Sequence, residues 1–240
     1  MRKEPWYVIS IGGHLLHRGA KSVEDLDFTW YKEYARIIKS LHDKGYKFAV
    51  VCGGGDICRE EIKKAREKGV TDKIKLDMIG VEWTHYNAKK LAEQLKPLST
   101  FYGAPETDIE KIIDDVKKDK IPICGGEKPG HSTDYDTAFI AKSIKERGIE
   151  TVFIDARRYP MYDKDPAIYK DAKKLDKVLS SKLLEMAKEL KQDPGTYQID
   201  LHAVEVVHKY KIKGILIDGY TNPEEIIRAV EGKHNGTVIE

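Results

Sequence analysis

Three short glycine clusters in this chain each follow an apolar, β-rich run. Gly12-Gly13 follows Trp6 to Ile11, Gly53-Gly54-Gly55 follows the run from Lys47 to Val51 and Cys52, and Gly125-Gly126 follows Ile121 to Cys124. Glycine lets backbone N–H groups close on an anion, and a helix opening just beyond such a turn aims its positive end at the same place. Helices starting at Asp56 and Thr133 are positioned to do this. The carboxyl ends of strands in an open parallel sheet share one edge, and ligands bind there, so the three clusters should converge. A single cluster could be a tight turn, whereas three at strand ends point to a ligand that carries phosphates or a similar oxyanion. The loops are not of a standard nucleotide type. The Rossmann spacing is absent, and the nearest approach to a P-loop, Gly125 through Ser132, has His131 where the phosphate-binding lysine belongs.

Short β-rich runs alternate with longer helical periods, which predicts an α/β fold: a three-layer αβα sandwich with a mainly parallel central sheet. Helices are expected over about 28–44, 56–68, 72–96, 133–147, 181–190 and 201–210, with glycine stops at Gly45, Gly69 and Gly148. Thr107 with Glu110 reads as a capping box for a helix ending near Lys118, and Asn222, Pro223 and Glu225 read as a second helix start. Further strands are expected over 98–102, 151–155, 214–218 and 237–240, with an irregular polar stretch from 156 to 174. No repeat or flexible linker divides the chain. The expectation is one domain over residues 1–240 with two lobes meeting near residue 150.

Composition bounds the partner. Among 240 residues, 40% are apolar, and 42 Lys+Arg face 40 Asp+Glu for a net charge of +2, so neither disorder nor a polyanion-binding field is indicated. Nucleic acid is therefore not an expected partner. A charged fraction of 34% resembles the surface ion-pair habit of heat-adapted proteins. No run approaches the ~18 apolar residues of a membrane span, so no membrane partner and no signal peptide are expected. Cys52, Cys58 and Cys124 are odd in number and lack metal-site spacing, which fits a reducing cytoplasm and buried packing roles. The eight histidines are scattered. His14 and His17 read as a loop pair rather than ligands, and no metal site is expected from spacing.

The order of Ile11-Gly12-Gly13, Gly53-Gly54-Gly55 with Arg59 four residues on, and Asp77-Met78-Ile79-Gly80 ahead of Asn87-Ala88 resembles the amino acid kinase superfamily, and within it the archaeal-type uridylate (UMP) kinases. Gly125-Gly126 with Pro129 to Asp134 is similar to the acceptor and catalytic loop of that family. Tyr162 to Pro166, Gly195 to Tyr197 and His234 to Glu240 are similar to its later signatures. The resemblance spans nearly the whole chain and implies an acceptor side in the first lobe (about 1–150) and a nucleotide side in the second (about 151–240). It implies transfer of the γ-phosphoryl group of ATP, with Mg2+, onto UMP to give UDP, in a homo-oligomer, usually a hexamer. By the same resemblance, Gly54, Gly55 and Arg59 hold the acceptor's phosphate, Asp77 hydrogen-bonds its sugar and Thr133 touches its phosphate. Gly12, Gly13 and Gly126 line the phosphates between donor and acceptor. Asp134 orients the lysine or metal that neutralises the transferring group, and Tyr162 and Asp165 fall on the nucleotide side.

The chain departs from the family pattern in three places. Ser10 stands where many members carry a lysine directed at the transferring phosphate, and Lys128 is the candidate substitute cation, with a solvated loop lysine as the alternative. Ala156-Arg157-Arg158-Tyr159-Pro160 replaces the usual Thr-Asn-x-Asp-Gly run of the donor site, where Arg157 and its neighbours Arg158 and Tyr159 are candidates to grip the nucleotide's phosphates or stack on its base, with solvent-facing loop arginines as the alternative. His14, Tyr135 and Asp136 are bulkier or more polar than is common at their positions. Two other readings therefore stay open: a kinase of another small phosphate or carboxylate, and a non-catalytic nucleotide- and oxyanion-binding protein of the molybdenum-storage kind.

Overall fold

The computed structural model describes residues 4–164, 166–189 and 200–240. The elements in chain order are β1 (Trp6–Ile11), α1 (Gly13–His17), α2 (Thr29–Asp43), β2 (Phe48–Cys52), α3 (Gly55–Glu67), α4 (Lys73–Gln94), β3 (Ser99–Tyr102), α5 (Ile109–Lys117) and β4 (Ile121–Cys124). They continue with α6 (Thr133–Lys145), β5 (Thr151–Arg157), β6 (Lys177–Val178), α7 (Ser180–Glu189), α8 (Leu201–Tyr210), β7 (Lys213–Asp218), α9 (Glu225–Val230) and β8 (Thr237–Ile239). The strands form one eight-stranded sheet in the order β3-β4-β2-β1-β5-β7-β8-β6. Pairing is parallel from β3 through β7, and β8 alone turns antiparallel against β7 before β6 pairs parallel to it.

β1 shows why the architecture has three layers. Every residue of it after Trp6 is buried, as expected for a parallel strand covered on both faces. Tyr7, Ile9 and Ile11 pack into a core with α2, α4 and α9, whereas Val8 points to the opposite core with α5 and α6. A third cluster, built from α7, α8 and the sheet end at Leu216 and Ile239, extends the second face. The αβα sandwich expected from the sequence is the observed fold.

Two local expectations fail, in each case because a distant partner outcompetes a local cap. Thr107 and Glu110 form no capping box. The Glu127 carboxylate instead accepts the Glu106 and Thr107 amides and the Thr107 hydroxyl, the last at 2.8 Å, and α5 starts later, at Ile109. At α9, Asn222 Oδ1 accepts the Glu224 amide at 3.2 Å, but the Glu225 carboxylate turns away to accept the Asn235 amide at 2.8 Å. Two elements were not foreseen, α1 with five residues and β6 with two, and both are too short to show a period. α1 also corrects the reading of His14 and His17 as a loop pair, since both lie on this helix.

Candidate active site

The chain runs outward from β1 through β2 to β3, then returns to add β5 on the other side of β1. The switch in direction opens a crevice at the carboxyl ends of β1 and β5, the place where α/β sheets bind ligands. The three glycine clusters follow β1, β2 and β4, which lie within three neighbouring positions of the sheet, so they meet as expected. The resulting open cleft spans about 1020 Å³ and is lined by Gly12, Gly13, Gly53, Gly54, Gly55 and Gly126 together with Ser10, His14, Arg59, Asp77, Thr84, His131, Thr133, Asp134, Asp155 and Arg157.

Two glycines are sterically required here. A Cβ on Gly13 would lie 2.4 Å from Gly53 O and 2.4 Å from Gly55 N, both backbone atoms. Gly55 has φ +85°, and a Cβ there would lie 2.6 Å from Gly13 C. The first two loops thus touch backbone to backbone, a spacing no side chain permits.

α4 holds the loops from below. Asn87 donates through Nδ2 to Gly53 O at 2.6 Å and Gly54 O at 3.2 Å. Its Oδ1 accepts the Tyr31 hydroxyl at 2.6 Å and lies 2.6 Å from His17 Nε2, which must then carry the proton. One turn earlier, Thr84 Oγ1 accepts the Gly126 amide at 2.7 Å while donating to Val81 O. His85 Nε2 lies 2.9 Å from Gly103 O and 2.8 Å from Gly126 O. Positions 84, 85 and 87 therefore hold the second and third glycine loops directly, while the first is held by its backbone contact with the second. Sequence reading noted Asn87 only as part of a motif and missed Thr84 and His85. The one available signal was a run of polar residues inside an otherwise apolar helical period.

The charged centre is built by β5 and the start of α6. Asp155 and Arg157 are two apart on the strand and so share a face, while Ala156 points into the opposite core. Arg157 Nε lies 3.0 Å from Asp155 Oδ2, and its terminal nitrogen lies 3.9 Å from Asp134 Oδ2. Burial and the facing Asp155 carboxylate push Asp134 above the usual carboxylate range, with Arg157 opposing. Burial pushes Asp155 up as well. Arg157 is drawn further toward its charged form by Asp155. His14 is pushed down to about 4 by burial and by Arg59, Arg158 and Arg157, against the pull of Asp56. It is neutral at pH 7, and its Nε2 is buried without a hydrogen-bond partner.

The residues singled out from sequence distribute as follows. Gly12, Gly13, Gly54, Gly55, Arg59, Asp77, Gly126, Thr133, Asp134 and Arg157 all line the cleft. Arg59 pairs with Asp56 at 2.5 Å, and Asp77 Oδ2 accepts the Gly130 amide at 2.9 Å, tying α4 to the loop before α6. Lys128 does not line the cleft. It is half-exposed, with Nζ 3.3 Å from Glu106. Tyr162 lies off the cleft, bridging to Lys174 with its ring edge-on to Tyr159. Asp165 and the stretch Gly195 to Tyr197 lie outside the described residues. Asp155, which sequence reading treated only as a strand end, joins the site through β5. The three cysteines are buried, and burial raises all three thiols, Cys58 to about 11.

A second cavity, of about 480 Å³, lies on the far side of the same charged centre. It is mostly apolar, with Phe153, Met161, Leu183 and Val204 among its walls, and it shares Asp134, Asp155 and Arg157 with the glycine cleft.

A parallel sheet with glycine loops at its switch point and two cavities meeting at a carboxylate–guanidinium centre defines an α/β protein of the kind that binds ligands at the carboxyl edge of its sheet. The chain belongs to the amino acid kinase family, whose profile matches residues 5–218. It is 35% identical to the uridylate kinase of Staphylothermus marinus over 97% of each chain, and 33% identical to that of Methanocaldococcus jannaschii over 97% of this chain and 98% of the other. The crystal structure of uridylate kinase from Archaeoglobus fulgidus superposes with a TM-score of 0.76 at 32% identity, covering 98% of this chain and all of that one. UMP kinase from Bacillus anthracis, at 19% identity and a TM-score of 0.77, shares the fold.

Proposed function

We propose that this chain is a nucleoside monophosphate kinase that transfers the γ-phosphoryl group of ATP to UMP, giving UDP. The observation that carries the reading is the junction of the two cavities at Asp134, Asp155 and Arg157. Phosphoryl transfer needs two ligands held in line and the moving charge neutralised, with little covalent chemistry from the protein. The glycine cleft supplies backbone amides, Arg59 for bidentate contact to the acceptor phosphate and Asp77 for its sugar. The more apolar cavity is suited to the donor's base. The names carried by the archaeal relatives support UMP as acceptor.

Ser10 lines the cleft and cannot supply a charge, and it sits in register with Asp155 on the adjacent strand. Arg157, two residues further along β5, is the cation at the junction. It takes the part that Lys128, drawn off to Glu106, does not. Asp134 and Asp155 orient the guanidinium and keep it charged. They are also the oxygen donors facing the junction, a set that fits Mg2+. Bound with ATP, Mg2+ would add charge neutralisation there.

The three buried, unpaired thiols favour a reducing compartment, the cytoplasm. The proposal includes a homo-oligomer, a hexamer by family likeness, and Phe28, Ile74 and Met78 are exposed apolar side chains available to it. The deciding experiment is ADP release from ATP over a panel of nucleoside monophosphates and small acids. UMP is expected to stimulate most strongly, and a flat response to UMP would reject the assignment.

A further inference from the structure

Next to the cleft, three potential metal ligands come together from separate parts of the chain. Glu106 lies in the loop between β3 and α5, His131 in the loop between β4 and α6, and Asp136 in the first turn of α6. One ligand atom of each lies within 4.8 Å of the others. Asp136 is the unusual member. It is 0% exposed, and both carboxylate oxygens are buried with no hydrogen-bond partner, while the Glu127 backbone amide draws the group toward its charged form against its burial. A buried carboxylate with no bonded donor or cation is costly, so this side chain calls for a partner.

We propose that Glu106, His131 and Asp136 form a binding site for one divalent transition-metal cation of the zinc class. Glu106 Oε1 faces His131 Nδ1 at 2.9 Å, so a cation would replace the proton between them, while Oε2 stays with Lys128 at 3.3 Å. Glu127 is already engaged by Thr107 and two amides, and its role is to hold the Glu106 backbone. The Tyr135 ring, with its centroid 4.1 Å from that of His131, fixes the imidazole plane. Two carboxylates and one imidazole suit tetrahedral Zn2+ with a water in the fourth position, whereas Mg2+ prefers an all-oxygen octahedron. Glu106 and His131 are about one-fifth exposed, which gives a cation a path to Asp136 at the bottom. Asp136 and Glu106 do not line the cleft, whereas His131 lies on its wall. The site would strap the loop over residues 126–133 to α6 and to the approach to α5, stiffening the part of the cleft wall that carries His131.

The test is calorimetric titration of the full chain, stripped with a chelator, with Zn2+ in excess Mg2+ at neutral pH. One tight equivalent per chain is expected, together with a Zn2+-dependent rise in Tm. Asp136→Asn and Glu106→Gln should each weaken that equivalent by more than about 100-fold, the scale at which even outer-shell changes begin to tell, and should abolish the Tm response. Should Asp136→Asn fail to fold, Glu106→Gln and His131→Gln carry the comparison. Absence of a tight equivalent, or one that survives all three substitutions, overturns the proposal. So does an Asp136→Asn variant that is more stable than a wild type that binds no Zn2+, because it identifies a proton as the occupant.

Discussion

Replacing Asn87 by leucine tests whether α4 sets the phosphate-facing loops. Leucine keeps the branching of asparagine without its polar atoms, and its bulkier methyl groups leave no room for a water to take over and add overpacking strain. Three buried groups lose their partner: the Tyr31 hydroxyl, His17 Nε2 and Gly53 O, all bonded at 2.6 Å. Tyr31 is 0% and His17 2% exposed, so water cannot reach them without local opening. At about 1–3 kcal/mol for each buried group left unsatisfied, less the gain from burying an apolar side chain, the expected loss is about 3–5 kcal/mol. At about 2–4 °C per kcal/mol for a domain of this size, Tm should fall by about 10 °C. Tyr31→Phe removes only one partner and should cost about 1 kcal/mol. Denaturant unfolding followed by circular dichroism gives the stability, and UMP-dependent ADP release gives the second readout. KM for the acceptor should rise in Asn87→Leu, because the Gly53 and Gly54 carbonyls are no longer held. A leucine variant within about 1 kcal/mol of wild type and with unchanged KM would refute the idea that α4 positions the loops.

Arg157→Gln should lower kcat by about 10²–10³-fold, the scale for loss of one preorganised charge-stabilising group, with a smaller effect in Arg157→Lys; steady-state kinetics with both variants decides it. Lys128→Ala should leave kcat within about twofold, as expected for an exposed ion pair outside the cleft. Gly13→Ala should abolish acceptor binding in calorimetry even where circular dichroism shows a folded chain, since its Cβ would displace the facing Gly53–Gly55 backbone. His14 provides a pH test. Its folded pKa is about 4 against an ordinary 6.5, so the native state binds fewer protons than the unfolded one. Its contribution is present above pH 6.5 and is lost as pH falls toward 4, up to about 3 kcal/mol. Stability measured across that window should fall more steeply in wild type than in His14→Gln.

Much of the fold was legible because it rests on local signals. Apolar runs capped by glycine marked β1, β2 and β4, and the helices that follow them carry their own periods and stops. Convergence of the glycine loops also followed from sequence, because the parallel α/β arrangement puts all three strand ends on one edge. Thr107 and Glu225 show the limit of local reasoning. Each sits in a well-formed cap pattern, and each is taken by a group that sequence distance hides, Glu127 and Asn235 respectively.

Composition, glycine placement and helical period determined the fold class and the ligand edge, and the order of motifs, through its likeness to a family, singled out Arg59, Asp77, Thr133 and Asp134 on the cleft wall. Which charges meet was decided only by the tertiary structure. The side on which β5 joins β1 put Arg157 and Asp155 opposite Asp134, and the loop from 126 to 133 carried Lys128 out to Glu106 instead. The same packing brought Asp136 to Glu106 and His131. An ion pair or hydrogen bond forms with whatever the topology brings within about 3 Å, and that choice depends on strand order and register over separations of tens of residues, which no local pattern records.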